Sequence, residues 1–362
     1  MAAAAGAVVL LGASAAALAL VGGGQPPRAA TAGTTTTRPS PSPSAPVRAA
    51  AGATTTAVGW TPPLPADLAM VGCPPPPFTG PPPTPAWHPA YLVPDNQLPP
   101  APVPPAGRNP TTALTGKGMW IWEPDQTDHG DAGAVIADAR RAGLHQLWVR
   151  VGDSPDGFYG AAWLDQLVPA AHAAGISVIG WGFPYLFDPA SDARWTEAVI
   201  DWRSPDGQRL DGYSADIETA SEGVALSPQR VAVYLGLVRQ AAPRELLVAT
   251  VYWPTDSNMV TYPYSTMAPY IDAYAPMVYW DCVQPVSAVR QTLAHLTPLA
   301  PVHVIGQAYD MGPYGGRLGA PPPEELNAFM AAAQKGGALG ASFWSWQAMD
   351  PAEWAALSAF RW

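Results

Sequence analysis

The sequence lacks a basic stripe, has few histidines and carries only two cysteines, and each shortage closes off a class of function. Lys and Arg number 18 against 28 Asp and Glu, leaving a formal net charge of -10. Binding a phosphate backbone needs clustered cations, so nucleic acid is excluded as a partner. The six histidines are scattered, no pair of them has metal-ligand spacing, and no metal centre is predicted. A Gly-x-Ser-x-Gly elbow is missing, which removes one common form of serine hydrolysis. The stretch after Trp122, EPDQTDHGD, is not a glycine-rich phosphate loop, and no cofactor is expected. Its Asp125, Asp128, His129 and Asp131 read as a solvated loop capping the next helix rather than as a cation site.

What is present divides the chain in three. Residues 1–24 contain an uncharged apolar run, Ala5 to Leu20, suited to a signal-peptide core or a short membrane anchor, although no Lys or Arg precedes it. The protein is accordingly expected to be secreted or membrane-anchored and to work outside the cytoplasm. Residues 25–116 are a Pro/Thr/Ser/Ala-rich linker or arm; more than half of the 45 prolines fall before Lys117. Up to about Thr56 this tract buries too little apolar surface to offset its ordering entropy. Beyond it, Trp60, Phe78, Trp87, Tyr91 and Leu92 suit either a plain spacer, the preferred reading, or an arm packed on the domain. An oxidising compartment would permit a bridge between Cys73 and Cys282, and the sequence leaves that pairing open.

Residues 117–362 are regular. Strand-like runs at 118–122, 146–151, 177–183, 212–218, 246–253, 273–279, 302–309 and 341–346 alternate with amphipathic helical patterns such as AGAVIADARRAG and PEELNAFMAAAQKGG, several ending at glycine. Eight β-then-α units in this span predict an α/β fold, a (β/α)8 TIM barrel, ahead of an open doubly wound sheet. In such a barrel the carboxyl ends of the strands converge on one mouth. Reading those ends gives Glu123, Arg150, Trp181, Asp216, Glu218, Tyr252, Trp253, Tyr279, Asp281, Gln307, Tyr309, Trp344 and Trp346. This is an acidic pocket walled by aromatics, whose faces suit the C–H faces of sugar rings. Trp148, Trp163, Trp195 and Trp354 occupy strand-body or helical positions and are expected to pack.

The most informative segment is Leu210 to Glu218, LDGYSADIE. Alternation sends Tyr213, Ala215 and Ile217 to one face, and Ser214, Asp216 and Glu218 to the other. Two acids on one strand face are rarely there for packing. Desolvation and mutual repulsion raise the proton affinity of one, as a general acid near neutral pH requires. Glu218, nearer the mouth, is the candidate to protonate a leaving glycosidic oxygen, with Asp216 beneath it tuning its charge. A salt bridge from Arg150 to either acid is the competing structural reading.

Asp211-Gly212-Tyr213-Ser214-Ala215-Asp216-Ile217-Glu218 resembles the fourth-strand signature of the family 18 chitinase-like glycoside hydrolases, Asp-Gly-x-Asp-x-Asp-x-Glu. Met277-Val278-Tyr279-Trp280-Asp281 is similar to that family's sixth-strand Met-x-Tyr-Asp, and Trp344 or Trp346 to its eighth-strand tryptophan. The resemblance implies Glu218 as the acid, Asp216 orienting a substrate N-acetyl group that acts as internal nucleophile, and Tyr279 bonding that acetamido group. Two departures stand out: Ser214 replaces the first inner aspartate, and one extra residue separates Tyr279 from Asp281. Without that aspartate, a second carboxylate from Asp281, Asp310 or Glu123 would serve as nucleophile or base. The sequence therefore points to an exported glycoside hydrolase acting on a polysaccharide, N-acetylated glycans such as chitin or cell-wall glycan included. A catalytically silent glycan-binding barrel is the alternative, and Ser214 is its best argument.

Overall fold

The structure, a computed structural model, describes residues 91–314 and 316–362. The apolar run, the Thr/Ser/Pro tract and Cys73 lie outside the described residues. Among the described residues no helix is long and apolar enough to cross a membrane. Cys282 is disulfide-bonded.

Nine strands form one sheet: β1 (Gly116–Ile121), β2 (Gln146–Asp153), β3 (Gly157–Phe158), β4 (Ser177–Phe183), β5 (Gly212–Asp216), β6 (Leu247–Tyr252), β7 (Ala273–Val278), β8 (Val304–Gln307) and β9 (Gly340–Trp344). Eight of them run parallel, and β1 pairs with both β2 and β9, so the sheet closes on itself. The strand β3 is extra, an antiparallel ribbon on β2 that extends β2 two residues past the Val151 expected from sequence. Between the strands run α1 (Ala132–Ala142), α2 (Ala161–Ala173), α3 (Pro189–Asp201), α4 (Pro228–Ala241), the short α5 (Asp256–Thr261) and α6 (Tyr264–Met267), α7 (Pro285–Leu296), α8 (Pro323–Lys335) and α9 (Pro351–Ala359). The predicted (β/α)8 barrel is the fold.

Local chemistry sets the helix ends. Asp131 accepts the N–H groups of Gly133 and Ala134 at 2.8 and 3.1 Å, and α1 stops at Gly143 with φ 64°. The acidic loop before α1 thus does cap the helix. Ser227 caps α4 with Pro228 behind it, and Asp350 with Glu353 forms a reciprocal capping box on α9.

The barrel interior combines indoles with the usual aliphatics, Ile179, Val248, Met277 and Ile305 among them. Trp120 stacks on Trp148 at 4.8 Å, and Trp181 and Trp344 tilt against Trp120 at 5.5 and 6.0 Å. Beneath them His303, fully buried, contacts Leu114 O and Ser342 Oγ at 2.9 Å each. Burial lowers its pKa to about 4, so it is a neutral packing group.

Residues 91–115 form an arm, not the plain spacer preferred from sequence. Val93 N–H donates to Phe187 O, and the buried Arg230 guanidinium reaches Asp95 at 2.6 Å and the carbonyls of Val93, Leu186 and Phe187. Further along, Tyr270 donates to Pro102 O, Arg108 binds the carbonyls of Ala268, Ile271 and Leu299, and Asn109 N–H meets Asp272 at 2.6 Å. Fully buried Leu114 then closes the amino-terminal end of the barrel, its carbonyl accepting from Gln146 at 3.0 Å. Proline density misled because buried polar partners on the barrel, Arg230 and Asp272, satisfy a chain that has few apolar residues of its own.

Candidate active site

The site is built on the end of β5. Ser214 pairs in register with Trp181 of β4 and Val248 of β6, and Asp216 with Thr250, while Ile217 N–H continues the ladder to Thr250 O at 3.0 Å. Tyr213, Ala215 and Ile217 join the core beneath the helices, so Ser214, Asp216 and Glu218 face inward. Asp216 is 7% and Glu218 4% exposed. Below them Ser214 Oγ lies 2.8 Å from Thr250 Oγ1, closed in a hydroxyl pair.

Burial raises the pKa of Asp216 to about 7; the Arg150 guanidinium opposes this and the Glu222 carboxylate adds to it. Arg150 comes from β2, donates to Asp153 at 2.9 Å and lies 5.7 Å above the ring of Trp181. It is also in electrostatic reach of Glu123, whose proton affinity burial and Asp125 raise. Arg150 forms its ion pair with Asp153, a residue not among the partners expected from sequence. Tyr279, from the end of β7, feels Tyr309, Asp216, Glu218 and Tyr252, and burial holds its hydroxyl protonated far above the ordinary tyrosine range. Tyr309 meets Tyr279 edge-on at 5.6 Å. Tyr252 faces Glu218 and Glu222, and Trp344 packs on Trp181 at 5.5 Å. Gln307, register partner of Trp344, accepts the N–H of Asp281 at 2.8 Å.

The structure thus brings Asp216, Glu218, Arg150, Trp181, Tyr252, Tyr279, Tyr309, Gln307 and Trp344 together, with Glu123 at the edge. Three expected residues fall elsewhere. Trp346 packs against Trp354 of α9 at 4.8 Å in the helix-side core; of the two candidate tryptophans, Trp344 is the inward one. Trp253 follows inward-facing Tyr252 and alternation turns it onto the helix-side core. The Asp281 carboxylate accepts the Arg317 N–H at 2.6 Å, which commits it to the loop after β8. Asp310 is likewise taken up, by the N–H groups of Gly312 and Gly319.

Sequence reading missed three contributors. Trp122, two residues beyond Trp120 on the inward face of β1, extends the aromatic wall, and alternation alone identifies it. Tyr262 donates to Ile217 O between the two acids. Glu222, 3% exposed, holds Oε2 2.8 and 2.7 Å from the hydroxyls of Thr219 and Ser221, while its Oε1 is buried with no hydrogen-bond partner. The Thr219-x-x-Glu222 spacing is its only trace in the sequence.

No family model and no curated protein matches the sequence. Solved structures resemble it. The spore cortex-lytic enzyme SleL of Bacillus cereus is 12% identical, the match covering 68% of this chain and 75% of that one with a TM-score of 0.51. A chitinase of Chromobacterium violaceum is 14% identical, with coverage of 68% and 100% and a TM-score of 0.49. The likeness to SleL shows that the two share a fold, the TIM barrel seen in the closed parallel sheet.

Proposed function

We propose that the protein is a glycoside hydrolase acting on a polysaccharide, with Glu218 as general acid. One observation carries this: Asp216 and Glu218 are buried, inward-facing carboxyls at the carboxyl end of β5, inside an aromatic-walled barrel mouth. Glu218 protonates the leaving oxygen. Asp216, poised near neutral pH, takes or returns charge as the bond breaks, and Tyr279 and Tyr252 supply hydroxyl donors at the same level. Tyr309, Trp344 and Trp181 give ring faces for the sugar. With Asp281 and Asp310 held by loop amides, Glu222 and Glu123 are the remaining acids in reach for a nucleophile or base. The fold shared with a cortex-lytic enzyme supports a glycan target.

The reading extends to export: the run from Ala5 to Leu20 and a disulfide at Cys282 both suit an oxidising, extracytoplasmic compartment. The alternative is a silent glycan-binding barrel, favoured by Ser214, whose hydroxyl is spent on Thr250. Glu218→Gln separates the two. The change is nearly isosteric and removes only the transferable proton, so turnover of whichever chitin, peptidoglycan or neutral glycan the wild type cleaves is expected to fall by about 10²- to 10⁴-fold, with folding and sugar binding kept. Equal turnover by both proteins moves the acid elsewhere, and binding without turnover across the panel favours the silent barrel.

A further inference from the structure

We infer that the mouth selects a polysaccharide bearing free amines, a cationic amino-sugar polymer, through the paired acceptors Asp216 and Glu222. This rests on the glycoside hydrolase reading and names its substrate class.

The charge around the site is one-sided. Asp216, Glu218, Glu222 and Asp153 are each at most 7% exposed, and Glu123 is half-buried beside them. Arg150 acts electrostatically on Asp216, Glu123 and Asp153, and Asp153 already engages its guanidinium at 2.9 Å. Buried carboxyls in excess of their cations are costly in their ionised form unless they keep a proton, as Asp216 does toward neutral pH, or a positive partner arrives.

The second observation is a pair of vacant acceptors. Asp216 Oδ1 and Glu222 Oε1 are both buried without a close hydrogen-bond partner, on side chains more than nine-tenths buried; the Tyr252 hydroxyl lies in bonding reach of Glu222, and the two carboxyls act on each other electrostatically. The hydroxyls of Thr219 and Ser221 hold Oε2 of Glu222, which leaves Oε1 to accept. An ammonium group on a sugar ring supplies both the charge and several N–H donors in one place. The surrounding rings, Tyr279 and Tyr309 among them, attract a cation as well as a sugar face. Among the described residues no group of three or more His, Cys, Asp or Glu is arranged to hold a metal ion, so an organic cation fits the charge better. The net charge of -10 draws a polycation toward the protein from a distance.

The test uses the full chain, as wild type and as Glu218→Gln and Glu222→Gln variants. Calorimetry on Glu218→Gln compares glucosamine and galactosamine hexamers with their fully N-acetylated counterparts and a neutral glucan hexamer, and turnover of each is followed with the wild type. An amine-bearing hexamer is expected to bind at least about tenfold more tightly than its acetylated form, to weaken as salt rises, and to lose about thirtyfold or more in affinity with Glu222→Gln, the lower end of what removing one partner of a desolvated charge pair costs. Acetylated or neutral hexamers that bind as tightly and are cleaved in a Glu218-dependent way overturn the amine selectivity and leave the hydrolase reading standing. An amine hexamer whose affinity ignores Glu222→Gln also overturns it. If no hexamer is bound or cleaved, the amine selectivity falls, while the hydrolase reading is decided by turnover of the wider glycan panel.

Discussion

Asp216 should make the folded protein less stable as the pH rises, and replacing it should remove that cost. Its pKa stands at about 7 against 3.8 for the unfolded chain, raised chiefly by burial and further by Glu222, with Arg150 opposing. A carboxyl with a raised folded-state pKa keeps its proton in the folded protein when the unfolded chain has lost it. The folded state is therefore unpenalised below about pH 4, loses stability as pH climbs toward 7, and loses no more above that. At about 1.4 kcal/mol per pKa unit, the interval from 3.8 to about 7 corresponds to at most about 4 kcal/mol. Asp216→Asn keeps the shape and cannot ionise. Denaturant unfolding of both proteins at several pH values from 3.5 to 8.5 is the assay. The variant should match the wild type near pH 3.5 and exceed it by at least about 2 kcal/mol at pH 8, or roughly 4–8 °C in Tm for a domain of this size, while hydrolysis slows and the acid limb of its pH profile moves. A stability difference that is flat with pH, or a wild type that gains on the variant as pH rises, refutes the argument. The sign also bears on function, since a site poised to exchange a proton is expected to cost stability.

Other substitutions test the frame around the site. Arg230→Ala strips Asp95 of its ion pair and three carbonyls of their donor, and should cost about 2–4 kcal/mol in denaturant unfolding and expose residues 91–110 to limited proteolysis, since truncating a buried charged partner is expensive. Unchanged protease resistance would mean that the arm is held by other contacts. Trp120→Ala removes the indole that touches Trp148, Trp181 and Trp344 and should cost about 3–5 kcal/mol, read by the same unfolding curves. A loss below about 1 kcal/mol would show that the indole layer collapses around the gap.

Strand period made the barrel legible. All eight runs are strands, and in LDGYSADIE the alternation of small apolar and acidic residues placed the carboxylates on the inner face. The same rule separates Trp344 from Trp346 and Tyr252 from Trp253 only when the residue at which a strand ends is known, and strand ends are where sequence patterns fade. Treating every polar or aromatic residue near an end as inward therefore drew Trp346 and Trp253 into the mouth by mistake. Asp281 was misplaced for a different reason: the Arg317 amide that occupies it lies 36 residues away. Glu222 was hidden because the backbone turn after β5, rather than any periodic pattern, carries it back toward Asp216. The arm was illegible because its partners, Arg230, Ala268 and Asp272, are distant in sequence and lie on elements that look complete without it.

Leu114, His303 and the indole layer seal the amino-terminal end of the barrel, and this gives the protein the plumbing of a flask rather than a pipe. In the proposed hydrolase, substrate, the water that would cleave it, and any proton exchanged with Asp216 share one opening. A polymer cannot be threaded through such a vessel; it has to lie across the rim and dip a segment in. If the protein cleaves a polymer as proposed, cutting within long chains is then open to it as readily as trimming from an end, and the fragments leave by the way they came.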